Sequence, residues 1–331
     1  MNRAIIFAPN WLGDAVMALP AIADVRRGSP RATIAIAARQ SVAPLFGMVP
    51  GIDEVITLVE GVEKGIGTGR SFDTAILLPN SFHAAVIARR AGIPDRWGYR
   101  TGWRGLLLTR AVDRAPAGIH QVEYYQHLVH ALGFPTGPNE PRLDVSPDVR
   151  AGARRALEQA GWDGRAPLVA LAPGAAHGGA KRWAPPSFAE VAHGLAVDGV
   201  RSVLIGSDTD APAGRAIESA LGDSTTVMNL IGRTDLATLA GVLAMARALV
   251  TNDSGAMHLG AAIGTPITAL FGPTDERVTG PRTDVSSRSQ PIVLTHPVWC
   301  SPCGLRECPL DHACMRGIAV DTVARAVRRM L

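Results

Sequence analysis

Short apolar runs alternate with longer amphipathic segments along most of this 331-residue chain. Most of the runs stop near glycine, proline, asparagine or aspartate, which is typical of strands buried on both faces of a parallel sheet. The segments between them place apolar residues at helical spacing. Strand and helix in alternation predict βαβ units and an α/β fold. The predicted strands are residues 4–8, 31–37, 54–58, 73–78, 168–172, 202–205, 227–230 and 266–271, with one more strand that ends at 250–251.

The alternation occurs twice, and a proline-rich segment separates the two arrays. Residues 133–147 contain four prolines and are predicted to be a linker, so we expect domains at 1–145 and 146–331. Polar loops at the strand ends of both arrays indicate a cleft between the domains. A glycine-rich run at 64–70 lacks the flanking strand and helix of a nucleotide loop, so we expect a surface loop. The predicted helices are residues 14–27, 83–90, 121–132, 149–160, 188–197, 213–221, 236–244, 256–263 and 320–331.

The composition indicates a globular protein with an anionic partner. Hydrophobic residues make up 47% of the chain, enough for two well-filled cores. No apolar run reaches membrane-spanning length and the chain starts with a strand rather than a leader peptide, so we expect a cytoplasmic protein. The net charge of +4 suits a nucleotide diphosphate, a phosphorylated glycolipid or a membrane surface. Arginine outnumbers lysine 31 to 2, which we attribute to coding bias, and no nucleic-acid partner is expected.

The stretch 246–275 contains a strand, a tight loop, a helix and a second strand, which form one βαβ unit. Its loop would place the free backbone N–H groups of Ser254 and Gly255 at a helix N-terminus, where the dipole favours negative charge. Such a loop is a phosphate site. Asp253 adds a carboxylate that can accept hydrogen bonds from sugar hydroxyls, and His258 lies on the same side one turn later. The combination indicates a phosphorylated sugar, with helix capping by Asp253 or Ser254 as the alternative.

Two more loops of the second array carry polar residues past the end of a strand. The first is glycine-rich, contains Gly174 and Ala175, and delivers Lys181, one of only two lysines in the chain and a compact charge suited to phosphate. We expect Lys181, like Asp253, on an exposed loop. In the second loop, a carboxylate such as that of Asp210 could bind the hydroxyls of a ribose. Ordinary turn chemistry is the alternative for both loops.

The first array has candidate loops after its first and fourth predicted strands. The loop after the first strand lacks the G-x-G-x-x-G motif of a dinucleotide fold, and it presents the Asp14 carboxylate at the mouth of the sheet. Capping of the following helix is the alternative role for Asp14. The loop after the fourth strand contains Asn80 and Ser81. These loops would lie at the same edge of the sheet.

Arginines alternate with aromatic residues between positions 96 and 104. Arg96, Arg100 and Arg104 are interleaved there with two tryptophans and a tyrosine. Such a pattern can clamp phosphates or carboxylates and stack on sugar rings. A solvated strand edge is the alternative.

All four cysteines fall within the last 32 residues, with two histidines beside them. In a cytosolic protein such clustering favours a metal over disulfides, and four thiolates suit zinc or an iron centre. Unligated thiols are the alternative, because the spacing is not that of a standard zinc finger. The cluster lies far in sequence from the loops above, so a structural site away from the chemistry is expected. The positions are Cys300, Cys303, Cys308 and Cys314.

These loops together resemble glycosyltransferase family 9. The resemblance implies a GT-B fold, an α/β architecture in which two Rossmann-like domains place parallel sheets facing each other across a cleft. It also implies an ADP-heptose donor in the C-terminal domain and a heptosyl-Kdo-lipid A acceptor in the N-terminal one. The motifs that carry it are residues 8–14, 78–82, 172–175 with 180–183, and 250–255 with 258.

The implied reaction is inverting transfer of L-glycero-D-manno-heptose to the first heptose of the Kdo-lipid A inner core, in lipopolysaccharide core biosynthesis. It would need no cofactor and would occur at the cytoplasmic face of the inner membrane, with the protein peripheral. The last helix would pack back on the first domain. By position, Asp14 would be the general base and Lys181 the donor-phosphate lysine. The other donor-site positions would be Gly174, Ala175, Asp210, Asp253, Ser254, Gly255 and His258, and the acceptor-side positions Asn80, Ser81, Arg96, Arg100 and Arg104.

Other functions remain open from the sequence. Another family 9 heptosyltransferase would differ only in its acceptor. A sugar-nucleotide epimerase on the same fold would need additional acid and base groups around the sugar, and none can be placed. A non-catalytic sugar-nucleotide-binding protein would be expected to lack Asp14, which is present.

Overall fold

Two compact units make up the chain, Met1–Asp144 and Val145–Leu331, and each is described by itself. The computed structural model describes residues 1–59, 71–176, 178–222, 227–284 and 290–331. The glycine-rich run at 64–70 lies outside these residues. Each unit contains a six-stranded sheet in which the paired strands are parallel. The α/β architecture with two parallel sheets is therefore confirmed.

The first unit alternates strands and helices around one sheet of order β3-β2-β1-β4-β5-β6. Its strands are β1 (Arg3–Phe7), β2 (Thr33–Arg39), β3 (Glu54–Leu58), β4 (Thr74–Leu77), β5 (Asp95–Tyr99) and β6 (Arg110–Val112). Its helices are α1 (Leu12–Met17), α2 (Leu19–Gly28), α3 (Ala43–Phe46), α4 (Phe82–Arg90) and α5 (Gln121–Ala131), with a 3-10 helix at Gly102–Leu107.

The second unit repeats this plan with the order β12-β11-β10-β7-β8-β9. Its strands are β7 (Leu168–Ala172), β8 (Arg201–Leu204), β9 (Val227–Asn229), β10 (Ala248–Asn252), β11 (Ile267–Phe271) and β12 (Ile292–Thr295). Its helices are α6 (Pro147–Gln159), α7 (Pro185–Val197), α8 (Ala211–Leu221), α9 (Leu236–Met245), α10 (Gly255–Ile263), α11 (Glu276–Thr279), α12 (Ala313–Arg316) and α13 (Val320–Arg328). Short 3-10 helices lie at Gly179–Lys181 and Asp208–Asp210.

Both sheets have the strand order of a doubly wound, dinucleotide-binding fold. The direction of winding reverses between β1 and β4 in the first unit, and between β7 and β10 in the second. Ligands of such folds bind outside the carboxyl ends of the strands that flank this reversal. The loops after β1, β4, β7 and β10 are therefore the expected ligand positions.

The central strands form because they are apolar on both faces. β1 pairs with β2 and β4, and β10 pairs with β7 and β11, in continuous parallel register. Ile5 and Phe7 lie in the core of the first unit, and Leu171, Val250 and Leu270 lie in that of the second. Burying one such side chain stabilises the fold by about 1.5–3 kcal/mol. These cores hold the strand ends, and the loops that follow them, in place.

One predicted helix is two helices in the structure. The pattern predicts a single helix over 14–27, whereas α1 and α2 are separated at Ala18. Pro20 lies in the first turn of α2. Because proline has no N–H, it cannot continue the hydrogen bonding of α1. Helix α1 therefore ends at Met17, and Asp14 lies in a short helix of its own.

Three strands, β5, β6 and β12, are absent from the sequence prediction. β6 and β12 are edge strands, and their buried fraction is lower than that of the central strands. An edge strand carries a weak apolar signal because one of its sides faces solvent. β5 begins with Asp95 and Arg96 in place of aliphatic residues. The first part of the arginine-rich run is therefore a strand.

The last helix, α13, belongs to the second unit. Within that unit it packs against α7, β10 and β11. Val323 and Val327 are buried in the second core, and Arg328 donates to Asp198 at 2.7 Å. The apolar face of this amphipathic helix is therefore buried in the core of its own unit, and its packing on the first domain stays a prediction. No helix among the described residues is long and apolar enough to cross a membrane.

Candidate active site

Asn252 joins the loops that follow β7 and β10. It is the last residue of β10 and is fully buried. Its Nδ2 donates to the carbonyl oxygen of Pro173 at 2.8 Å, and its Oδ1 accepts from the backbone N–H of Trp183 at 3.1 Å. One buried amide therefore holds both ends of the 173–183 loop against β10.

Lys181 and Asp253 form a largely buried ion pair at the carboxyl edge of the second sheet. The Nζ of Lys181 lies 2.5 Å from Oδ2 of Asp253, and the two side chains are 14% and 6% exposed. The same carboxylate oxygen accepts from the hydroxyl of Thr274, in the loop after β11, at 2.7 Å. The expectation of two exposed side chains is therefore wrong, because each charge is the other's partner. A diphosphate would have to share the lysine with Asp253.

Helix α10 begins directly after this pair. Ser254 is its N-cap residue, but the Ser254 Oγ lies 3.1 Å from Oγ1 of Thr251 and does not cap the helix. In the first turn, the N–H of Met257 donates to the carbonyl of Ser254 at 3.2 Å, and the N–H groups of Gly255 and Ala256 have no acceptor within the helix. With the helix dipole they form a positive end beside Lys181, which is the arrangement that binds phosphate. His258 is buried one turn later, so its imidazole does not project into solvent.

Asp210 is buried and closes its own loop. Its Oδ2 accepts from the N–H and from the hydroxyl of Ser207, at 3.0 and 2.8 Å, and its Oδ1 lies 3.6 Å from Arg182. Arg182 also donates to the carbonyl of Ala175 at 3.3 Å. A Cβ atom on Gly174 would overlap with the Asp210 carboxylate, so glycine permits this close packing. Asp210 therefore holds together the loop after β8, which contains Ser207, and the loop after β7, which contains Gly174.

The segment 300–314, which contains the four cysteines, is hydrogen-bonded to the loop that carries Lys181. The carbonyl of Arg306 accepts from the N–H of Ala180 at 2.9 Å, and the carboxylate of Glu307 accepts from the N–H of Gly179 at 2.9 Å. The segment expected to lie away from the chemistry is thus in direct contact with the 3-10 helix that carries Lys181.

The four cysteines line one pocket of the second unit. Cys303 is exposed and Cys314 is buried, and all four are free thiols. Burial, followed by the three neighbouring thiols, raises the pKa of Cys314. Across the part of the chain that the structure describes, no group of three or more His, Cys, Asp or Glu side chains is placed to hold a metal ion. The zinc or iron centre expected from the clustering is unsupported, because the described thiols line the pocket without converging on one point.

Asp14 lies at the carboxyl edge of the first sheet with a tyrosine against it. It is the third residue of α1, whose N-cap is Trp11, so it is not the N-cap residue. The phenol of Tyr125 on α5 donates to Oδ1 of Asp14 at 3.3 Å. Burial, and next the Asp14 charge, raises the pKa of Tyr125 well above its usual value, so the phenol stays protonated. Asp14 itself is only partly buried, which leaves it open to a substrate hydroxyl.

The loop after β4 is held beside Asp14 by the same helix. The Nδ2 of Asn80 donates to the phenol oxygen of Tyr124 at 2.8 Å, and the Asn80 carbonyl accepts from the hydroxyl of Thr101 at 3.1 Å. The Oγ of Ser81 caps α4 by accepting from the N–H of Ala84 at 3.3 Å. One turn of α5 therefore positions the loops after both β1 and β4.

The three arginines of the 96–104 run have different surroundings. Arg104 is buried and its Nη1 donates to the carbonyl of Pro79 at 2.5 Å, while the Nε of Arg96 donates to the carbonyl of Leu107 at 2.7 Å. Burial lowers the pKa of Arg104 to about 10, so it stays charged at neutral pH. Both guanidinium groups hold backbone in place. Of the three, Arg100 is the exposed side chain.

Comparison with known proteins identifies the family. A family model described as glycosyltransferase family 9 (heptosyltransferase) matches residues 64–314, well over half of the chain. Lipopolysaccharide heptosyltransferase 2 of Escherichia coli (strain K12) is 31% identical over 304 residues, which cover 84% of this chain and 85% of that protein. The chain belongs to glycosyltransferase family 9. The resemblance seen in the sequence motifs is thereby confirmed.

Further family 9 proteins are similar to this chain in sequence and in structure. Lipopolysaccharide heptosyltransferase 2 of Salmonella typhimurium (strain LT2) is 32% identical over 299 residues, with 84% of this chain and 85% of that protein covered. The solved structure of E. coli ADP-heptose LPS heptosyltransferase II matches with a TM-score of 0.84 and 29% identity, over 100% of this chain and 98% of that chain. The GT-B fold class is confirmed, with its two Rossmann-like sheets.

Several residues of this family 9 site carry no signal in the sequence pattern. Tyr124 and Tyr125 lie within an apolar-periodic helix, and no motif indicates that their phenols contact Asn80 and Asp14. Asn252 is visible as a loop residue, but its bonds to the 173–183 loop depend on the pairing of β7 with β10. Such partners become evident only when the strand order is known.

Proposed function

We propose that this protein is an inverting glycosyltransferase that moves L-glycero-D-manno-heptose from ADP-heptose to the first heptose of the Kdo-lipid A inner core. The observation that carries the proposal is its 31% identity, over 84% of the chain, to a protein named lipopolysaccharide heptosyltransferase 2. A matching solved structure is named for ADP-heptose as well. The reaction would belong to lipopolysaccharide core biosynthesis.

We assign donor binding to the second unit, Val145–Leu331. The positive end of α10 and the charge of Lys181 suit the diphosphate, and Asp253 suits a sugar hydroxyl beside it. Departure of ADP places negative charge on the β-phosphate, and fixed positive groups stabilise such charge as it develops. Lys181 and the N–H groups after Ser254 would provide this stabilisation.

We assign acceptor binding to the first unit, Met1–Asp144, with Asp14 as the general base. The acceptor hydroxyl loses its proton to the Asp14 carboxylate while its oxygen bonds to the anomeric carbon and the bond from that carbon to ADP breaks. A single displacement inverts the anomeric configuration and needs neither a covalent intermediate nor a cofactor. Tyr125 would hold the carboxylate in position. Arg100, Asn80 and Ser81 remain our candidates for contacts with the acceptor.

The remaining acceptor-side arginines act indirectly in this proposal. Arg104 fixes the loop that contains Asn80, and Arg96 fixes the end of the 3-10 helix at Leu107. On the donor side, Asp210 keeps Gly174 close and so shapes the loop of Lys181. Because the acceptor is attached to lipid A, we also propose that the protein is peripheral at the cytoplasmic face of the inner membrane.

Acceptors of defined core length test the function and the position together. The protein is incubated with ADP-heptose and Kdo-lipid A that carries no heptose, one heptose or two heptoses, and products are identified by mass. We expect one added heptosyl unit on the acceptor with one heptose, with the new linkage inverted relative to the donor by NMR. Extension of the heptose-free acceptor alone would contradict the proposed position. Absence of transfer to all three acceptors would contradict the function.

A further inference from the structure

Four free thiols line one pocket of about 120 Å³ in the second unit. They are Cys300, Cys303, Cys308 and Cys314. We call this pocket the thiol pocket, and its wall also includes Ala180 and Pro273. Ala180 directly precedes Lys181. Pro273 directly precedes Thr274, whose hydroxyl donates to Asp253. The thiols therefore lie against both loops that hold the buried ion pair of the second sheet.

Four residues, 304–307, separate Cys303 from Cys308, and we call them the contact segment. Gly304 has a left-handed φ of +67°, so the chain turns sharply there. Its N–H donates to the carbonyl of Pro273 at 2.7 Å. The turn is therefore fixed against the loop after β11, with one thiol before it and another after it.

The other end of the contact segment supports the loop of Lys181. The carbonyl of Arg306 accepts from the N–H of Ala180 at 2.9 Å. The carboxylate of Glu307 accepts from the N–H of Gly179, also at 2.9 Å. Both acceptors lie between the two cysteines in the chain. A shift of the contact segment would break these hydrogen bonds and release the backbone that carries Lys181.

The four thiols differ in their access to solvent. Cys303 is exposed, Cys300 and Cys308 are partly buried, and Cys314 is buried. Burial raises the pKa of Cys314, which keeps this thiol protonated and makes it a poor nucleophile. Oxidation of a cysteine requires that the oxidant reaches its sulfur, and a neighbouring thiol can then resolve the oxidised group. Cys303 is therefore the position that a small oxidant reaches first.

We propose that Cys303 and Cys308 form a reversible disulfide that displaces the contact segment and weakens the binding of ADP. The oxidant is a peroxide. The thiolate of Cys303 attacks hydrogen peroxide, becomes a sulfenic acid and releases hydroxide. The thiol of Cys308 then bonds to that sulfur, and the sulfenic oxygen leaves as water. The two electrons that the sulfurs lose reduce the peroxide bond. A dithiol reverses the step by becoming a disulfide itself.

Formation of this bond has to move the contact segment. A disulfide holds its sulfurs about 2.05 Å apart and its Cβ atoms about 3.8 Å apart, whereas these thiols are not bonded. Because the contact segment is the chain that joins Cys303 to Cys308, its backbone must adjust when they bond. A bond between Cys300 and Cys303 would leave the segment outside the closed ring. The effect on ADP rests on the proposed function, which assigns the donor phosphate to Lys181.

Peptide mass mapping tests the disulfide itself. The reduced full chain is treated with hydrogen peroxide, the remaining thiols are blocked, and the protein is digested with trypsin. Trypsin cleaves after Arg306, so a bond from Cys303 to Cys308 joins two peptides, while a bond from Cys300 to Cys303 stays within one. The joined pair is expected in the wild type and in the control Cys300→Ser. Its absence from the wild type, or its persistence in Cys308→Ser, would overturn the inference.

Amide hydrogen exchange tests the release of the loop without any ligand. Oxidation of the wild type should speed exchange at Gly179 and Ala180 by about fivefold, the factor that corresponds to one lost hydrogen bond, and a dithiol should restore the slow exchange. Cys303→Ser changes an exposed side chain and should exchange alike before and after peroxide. Melting temperatures confirm that the variants are folded. Unchanged exchange in a wild type that carries the disulfide would overturn the inference.

Titration with ADP separates the disulfide from the proposed function. Oxidation should raise the Kd for ADP about fivefold or more in the wild type and in Cys300→Ser, and should leave it unchanged in Cys308→Ser. A reduced wild type that does not bind ADP would contradict the proposed donor site, while peptide mapping and exchange would still decide whether the disulfide releases the loop. Equal affinity before and after oxidation would overturn the inference. Stoichiometric zinc or iron that protects the thiols from peroxide would also overturn it.

Discussion

Replacing Lys181 by methionine removes one charge from the ion pair with Asp253 and keeps a side chain of similar length. Asp253 is 6% exposed and would keep the hydroxyl of Thr274 as a donor, 2.7 Å from the same carboxylate oxygen. Breaking a buried pair in this way costs about 3–5 kcal/mol. Because the Lys181 side chain is 14% exposed, we expect the free energy of unfolding to fall by about 2–3 kcal/mol.

The same substitution should weaken ADP binding. A charge-assisted hydrogen bond to phosphate contributes about 1.5–3 kcal/mol, which corresponds to an increase in Kd of about 10- to 150-fold. Asp253→Asn, added to Lys181→Met, leaves no unpaired charge and should restore most of the lost stability. It should not restore ADP binding, because the phosphate contact is still missing.

Urea denaturation and titration calorimetry with ADP measure the two effects separately. Arg328→Met is the matched control, since Arg328 pairs with Asp198 at 2.7 Å where the side chains are 46% and 40% exposed. An exposed pair contributes about 0–1 kcal/mol, and this control should bind ADP like the wild type. If the double variant bound ADP with wild-type affinity, Lys181 would serve only to neutralise Asp253. The donor-phosphate assignment would then be refuted.

Three other substitutions probe the rest of the site and fold. Tyr125→Phe removes the phenol that donates to Asp14, a phenol whose raised pKa keeps it protonated. Because the Asp14 carboxylate loses a donor, turnover should fall severalfold and the acidic limb of the pH–rate profile should move to higher pH. An unchanged profile would contradict this role of Tyr125. Asn252→Ala should lower the free energy of unfolding by about 2–4 kcal/mol and weaken ADP binding, and intact binding would show that the bridge is dispensable. Asp235→Ala removes the N-cap of α9, whose Thr238 N–H lies 2.7 Å from Oδ1, and should cost about 1 kcal/mol at neutral pH. Because the hydrogen bonds from Thr238 lower the pKa of Asp235, this difference should be lost as the pH falls below about 4, and a constant difference would contradict the assignment.

The strand ends and their loops can be predicted from sequence because each is a local feature. Val250 closes an apolar run, and Asp253, Ser254 and Gly255 follow it in an order that leaves a helix N-terminus open. Similarly, Asp14 follows an apolar strand after a short loop. Such patterns depend on neighbours within about ten positions, and the buried central strands make them strong.

The pairing of these residues cannot be predicted in the same way. Lys181 and Asp253 are 72 positions apart, and Tyr125 and Asp14 are 111 positions apart. The first contact follows from the strand order, which places β7 beside β10, and the second depends on the packing of α5 against α1. The burial of Arg104 also cannot be predicted from the sequence. An arginine beside Trp103 suggests a ligand contact, whereas in the fold its guanidinium donates to the backbone carbonyl of Pro79.

Transfer by the wild type and by Asp14→Asn, measured side by side, tests the central claim most directly. With ADP-heptose and an acceptor that carries one heptose, the wild type should release ADP in equal amounts to a product enlarged by one heptosyl unit. Asp14→Asn keeps the shape of the side chain but removes the proton acceptor, so turnover should fall about 10²- to 10⁴-fold while ADP affinity and melting temperature stay close to wild type. Undiminished turnover by Asp14→Asn would contradict the assignment of the base, and ADP release by the wild type without the enlarged product would contradict heptosyl transfer itself.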